Sequence, residues 1–122
     1  MQEQLHVHLK QNLNLKNLFN MGYLTCYDII LLEGDEAEFQ NFLKDLADKA
    51  GYPIITYGYA YDVKWYDWEK DAFNMSKKYS NIYFRIDGQG EDIGDNWRYY
   101  CCNGKFKYVE QVWPEITKDD LE

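Results

Sequence analysis

The sequence predicts an α+β two-layer sandwich, a mostly antiparallel sheet with two helices on one face. Three observations carry this. Apolar residues alternate with polar ones in several short runs, the mark of half-buried strands. Two longer stretches, 36–50 and 68–79, instead repeat their apolar residues at helical spacing. The pair Asn103-Gly104 sits between two strand-like runs, and both central residues of a type I′ hairpin turn need positive φ.

The elements follow in order. Residues 1–20 read as an N-terminal extension packed on the core. Within it Leu5, Val7 and Leu9 alternate with His6, His8 and Lys10 as a short strand. Tyr23 to Glu33 is a strand whose Ile29-Ile30-Leu31-Leu32 run is apolar on both faces. Asp35 caps a helix, with Glu38 three residues on, and Phe39, Phe42, Leu43, Leu46 and Ala50 form its apolar face. Gly51 ends the helix and Pro53 prevents its return. Ile54 to Val63 reads as a second strand, with Ile55, Tyr57, Tyr59, Tyr61 and Val63 on one face and Thr56, Gly58, Ala60 and Asp62 on the other. The small-residue face lets a helix approach closely. The tyrosine face is either the second side of the core or a surface for a partner.

Asp67 caps the next helix, which carries Trp68, Ala72, Met75, Ser76 and Tyr79 along one side and closes at Ser80-Asn81. Ile82, Phe84 and Ile86 alternate with Tyr83, Arg85 and Asp87 as a half-buried strand. Gly88, Gly90 and Gly94 then make an acidic glycine loop, Asp87 to Asp95, that also holds Glu91 and Asp92. Residues 96–102 form a strand, and 106–113 return as its hairpin partner until Pro114 stops them. Residues 115–122 are an acidic tail. The whole is one domain of 122 residues with its core over 23–113. The order of elements is close to a ferredoxin-like β-α-β-β-α-β plan with an added C-terminal hairpin.

Composition narrows the function. Lys and Arg number 13 against 21 Asp and Glu, a formal net charge of −8. Such a field repels phosphate backbones, so no direct nucleic-acid binding is expected and basic partners are favoured. Aromatic residues reach 18%, with 12 tyrosines, a residue suited to interfaces because its bulk ends in a polar tip. The three cysteines include the neighbours Cys101 and Cys102, which point to opposite faces of a strand, and no CxxC pair exists for zinc. They read as reduced thiols of a cytoplasmic protein. No apolar leader or span-length run is present, so no membrane association is expected.

No constellation selects a reaction, and the chain is expected not to be an enzyme. His6 and His8 would share a strand face and could ligate a metal with a third ligand from elsewhere, but such a pair reads first as solvated on an edge strand. The glycine loop follows neither the EF-hand order nor the dinucleotide-binding fingerprint, which opens a helix rather than a strand. No metal and no cofactor is expected. What remains is surface. Tyr57, Tyr59, Tyr61, Trp65 and Tyr66 form an aromatic ladder, and with Asp67, Glu91, Asp92 and Asp95 they are the expected partner-binding residues.

Lys64-Trp65-Tyr66-Asp67, then Glu69, Asp71, Ser76 and Tyr79, then Phe84, Gly88, Gly90, Glu91, Gly94, Asp95, Trp97, Tyr100 and Asn103-Gly104-Lys105 resemble small uncharacterised proteins carried by phages and plasmids, the YubB-like ferredoxin-like group. The resemblance spans residues 64–105 and, more loosely, 23–50; residues 1–20 depart from it. It implies fold and no established chemistry. A mobile-element origin implies, by analogy, an inhibitor of a host anti-phage defence protein, anti-CRISPR-like, whose acids imitate nucleic acid on a basic surface in the host cytoplasm. One alternative is a small-molecule binder such as a cyclic-nucleotide sponge, with a pocket from Trp65, Tyr66, Trp97 and Arg98. Another is a structural module that dimerises with a second copy.

Overall fold

A computed structural model describes residues 23–111 and 116–122. The α+β expectation holds: five antiparallel strands and two helices. In chain order these are β1 (Thr25–Glu33), α1 (Glu36–Ala50), β2 (Tyr59–Val63), α2 (Trp68–Lys78), β3 (Tyr83–Gly90), β4 (Asn96–Cys102) and β5 (Lys105–Glu110). The sheet order is β2-β1-β3-β4-β5, every neighbour pair antiparallel. Strands β2 and β3 therefore run parallel to each other on either side of β1, joined through α2. The architecture is compatible with a ferredoxin-like sandwich.

Register decides which side chains share a face. Tyr27 opposes Gly88, which opposes Trp97; Ile29 opposes Ile86, which opposes Tyr99. Both helices pack on this face. The Phe42 ring of α1 lies 4.6 Å from Phe84, and the Trp68 indole of α2 stacks 4.2 Å from Trp97 and meets Tyr99 edge-on. Phe42, Leu43 and Leu46 are fully buried here, with Ile55, Ile82, Phe84 and Ile86. The Tyr99 hydroxyl is sealed in the same layer without a hydrogen-bond partner among the described residues.

The caps follow from sequence. Asp35 accepts the Glu38 N–H at 2.8 Å, and Gly51 closes α1 at φ 81. Asn103 and Gly104 take φ 46 and 73, the left-handed pair a two-residue hairpin needs. Asp67 stands at the start of α2, but its side chain makes no capping bond.

Two further expectations are corrected. Residues 54–63 are not one strand: Pro53–Tyr57 wind into a 3-10 helix and only Tyr59–Val63 extend. Pro53 fixes a helical φ at the start, and Gly58 ends the turn at φ 90, so the alternation breaks there. The glycine loop is shorter than read. Asp87, Gly88 and Gly90 belong to β3, and only 91–95 turn. The tail carries one 3-10 turn, Lys118–Asp120, held by a Thr117–Asp120 capping box. The expected strand at 5–9, His6 and His8, and the stop at Pro114 lie outside the described residues.

Candidate binding surfaces

Two surfaces emerge, an acidic end and the sheet face opposite the helices, which is open among the described residues. The register builds the first. Thr25 at the start of β1 pairs with Gly90, the last residue of β3, and with Val63, the last of β2. The turns at 64–67 and 91–95 thus leave from the same end of the sheet. Asp67, Glu91 and Asp92 are exposed there, Asp95 is half-buried, and Tyr66 is 59% exposed. Ile93, at the tip of the acidic turn, is completely exposed.

That turn is fastened to the chain's own β1 entry. Tyr23 donates its hydroxyl to Asp95 Oδ2 at 2.5 Å and accepts from the Asp92 N–H at 3.1 Å, while the Leu24 N–H donates to Glu91 Oε2 at 3.0 Å. Burial, and then the bond to Asp95, push the Tyr23 hydroxyl far above its ordinary range, so it stays a proton donor. Gly90 is required beneath it: an added Cβ would lie 1.9 Å from Asp95 Oδ2.

The aromatic ladder does not exist as one surface. Trp65 is core, only 3% exposed, its indole N–H donated to the buried Asp71 Oδ2 at 2.9 Å and its carbonyl accepting the Tyr27 hydroxyl. A ring with its polar atom paired inside has nothing left to offer a partner. Tyr57 stands apart on the 3-10 helix, 75% exposed. Tyr59 and Tyr61 pack together, centroids 4.9 Å apart, over the sheet face opposite the helices. Of the expected residues, the acidic end gathers Tyr66, Asp67, Glu91, Asp92 and Asp95.

On the open face, cross-strand partners form a charged row. Asp28 on β1 opposes Asp87 on β3, which opposes Arg98 on β4. Facing carboxylates on neighbouring strands repel, so cations and donors must offset them. Arg85 grips Asp87 with two bonds, 2.7 Å from Nε and 3.0 Å from Nη2, and Arg98 Nε lies 3.5 Å from the same carboxylate. The paired carboxylate raises the already high Arg85 value further. Among the described residues Asp28 is met only by the Tyr61 hydroxyl, at 2.7 Å. That bond raises Tyr61 above its ordinary value.

Asp28, Tyr61, Asp87 and Arg98 line a concavity of about 680 Å³ with Gln89 and Asn96. Of the four residues expected in a small-molecule pocket, Trp97 and Arg98 border it. Trp97 turns its indole to the helix face, Trp65 is core, and Tyr66 belongs to the acidic end. Sequence reading missed Asp28, Arg85 and Asp87 as a group. The Arg85-x-Asp87 spacing puts both on one strand face, but only the register brings Asp28 and Arg98 to them.

Among the described residues no group of three or more His, Cys, Asp or Glu is arranged to hold a metal ion, and no helix is long and apolar enough to cross a membrane. Compared with known proteins, the chain matches no family model, no curated protein and no solved structure.

Proposed function

We propose that this protein acts by binding rather than by catalysis, placing its acidic end on a basic surface of a host anti-phage defence protein in the host cytoplasm, in the manner of an anti-CRISPR nucleic-acid mimic. One observation carries the reading: Asp67, Glu91 and Asp92 converge with the exposed rims of Tyr66 and Ile93 at one end of the sheet. Acids around apolar anchors are what a basic groove recognises, charge supplying steering and the anchors supplying burial. The turn's own bonds to Tyr23 and Leu24 hold it in place before a partner arrives. The fold reading that goes with this is a ferredoxin-like core extended by the β4–β5 hairpin. The passage β2-α2-β3 around β1 supports it.

The test is retention of purified CRISPR effector nucleases on the immobilised protein over a salt series. Binding is expected at low salt, falling as ionic strength shortens the reach of charge. The double variant Asp67→Lys, Asp92→Lys should weaken it at least tenfold. No binding to any effector at low salt, or binding indifferent to the reversal, would overturn the proposal.

A further inference from the structure

The concavity on the open face is a site of a different kind, and we infer that it recognises a guanine base. Asp28 and Arg98 stand two strands apart in one row, so their Cα atoms are about 10 Å apart at the usual strand spacing. Between them Asp87 is already occupied by the two-point grip of Arg85, and it also holds Arg98 through Nε. The terminal nitrogens of Arg98 have no partner among the described residues, and its side chain is 53% exposed. They form a donor fork at one side of the concavity. At the other side Asp28 gives one oxygen to Tyr61, and its second oxygen has no partner among the described residues.

A ligand must therefore accept a fork at one edge and donate to a carboxylate at another. Glu110 also lines the concavity. A lone cation would suit it and Asp28 but is opposed by Arg98 and Arg85, and among the described residues no three such ligands are grouped to hold one. A phosphate would suit Arg98 but faces Asp28, Asp87 and Glu110. A neutral planar group with both edges meets neither penalty. Guanine offers O6 and N7 as adjacent acceptors, the commonest partner of an arginine fork. Its N1–H and N2–H donors form the neighbouring edge, matched to a carboxylate. Adenine places a donor, N6, beside N7, and so cannot accept the fork. The Tyr61 ring, steadied by Tyr59, supplies a stacking surface at the border. The volume of about 680 Å³ lies within the range of small-molecule sites and exceeds a single base, leaving any sugar and phosphate toward solvent.

Calorimetric titration and thermal shift with guanosine, inosine, adenosine, GMP and cyclic di-GMP test this. Guanosine is expected to bind and raise Tm. Inosine, which lacks the N2 donors, should bind roughly tenfold more weakly, and adenosine not at all at the same concentration, as expected when a bidentate contact is lost. Arg98→Ala and Asp28→Asn should each weaken guanosine roughly tenfold or more with the far-UV spectrum unchanged. If one variant fails to fold, the other decides. GMP and cyclic di-GMP should bind no better per guanine than guanosine. The inference falls if guanosine does not bind at about 1 mM, if adenosine matches it, if the folded variants bind like the parent, or if only the phosphate-bearing compounds bind. Retention of effectors through the acidic end is measured separately, so either reading can fail without the other.

Discussion

A methyl group added at Gly88 would lie 2.0 Å from Cζ2 of Trp97. The indole has nowhere to go: Trp68 stacks on it at 4.2 Å, with Tyr27 and Tyr108 at 5.9 and 5.7 Å. Gly88→Ala should therefore cost about 2–3 kcal/mol, the scale of overpacking in a closed core. Urea titration should show a lower midpoint with an unchanged slope; an unchanged midpoint would refute the packing account. The same residue shows where sequence reading stops. A glycine kept for close approach looks like one kept for a turn, and Gly88 and Gly90 both read as loop. Their overhead neighbours, Trp97 and Asp95, are distinguished only once the strands are in register. Trp65 and Tyr66 make the same point as adjacent rings with opposite fates. The buried Asp71 draws the first inward through its indole N–H, and no local pattern announces that bond.

At the scale of elements, ends were more legible than interiors. The α1 helix begins at an aspartate that accepts its N3 amide and stops at a left-handed glycine, both readable from residue type. Asp35→Ala should cost about 1 kcal/mol, seen as a lower urea midpoint, with Asp35→Ser recovering most of it. The β4–β5 hairpin was equally plain, because Asn-Gly suits few other backbones. The stretch 53–63 was not. Its alternation runs unbroken through Gly58 on paper, yet Pro53 starts a helical turn and Gly58 ends it, so Ile55 goes inside while Tyr57 points outward. A run of β-branched and aromatic residues fits a 3-10 turn as readily as a strand when the burial of one residue, Ile55, decides. The α1–α2 contact was also invisible to periodicity. Beside the Phe42 ring, which meets Tyr79 edge-on, Asp45 takes the Tyr79 hydroxyl and the Lys78 ammonium together. The two bonds lower Asp45, and Tyr79 is in turn pushed up to about 12.

Across the whole molecule the tyrosines couple fold to pH. Burial first of all holds Tyr23, Tyr27, Tyr99 and Tyr108 above the ordinary tyrosine value in the folded chain. Unfolded, they ionise near about 10. A raised folded value means the associated stability is complete below about pH 10 and is lost as pH climbs beyond it. Tyrosinate absorbance from these rings should therefore grow together with loss of the far-UV helix signal, in one cooperative alkaline step. Full tyrosinate formation with the helices intact would contradict this. The distribution of charge was legible only in sum. A total of −8 pointed to a basic partner. That Glu91, Asp92 and Asp67 meet at one end, and that both arginines lie on the open face, depends on which strand ends coincide.

Among the described residues β2 is the edge strand on its side of the sheet, and its irregularity has one more consequence. Between Tyr27↔Ala60 and Thr25↔Val63 it holds an extra residue, with Asp62 at φ 55, so its outer margin is kinked just before its last residue, Val63. A stranger's extended backbone laid along it would lose step after two or three amides. Crowded copies are thereby denied a straight seam for growing fibrils on that side.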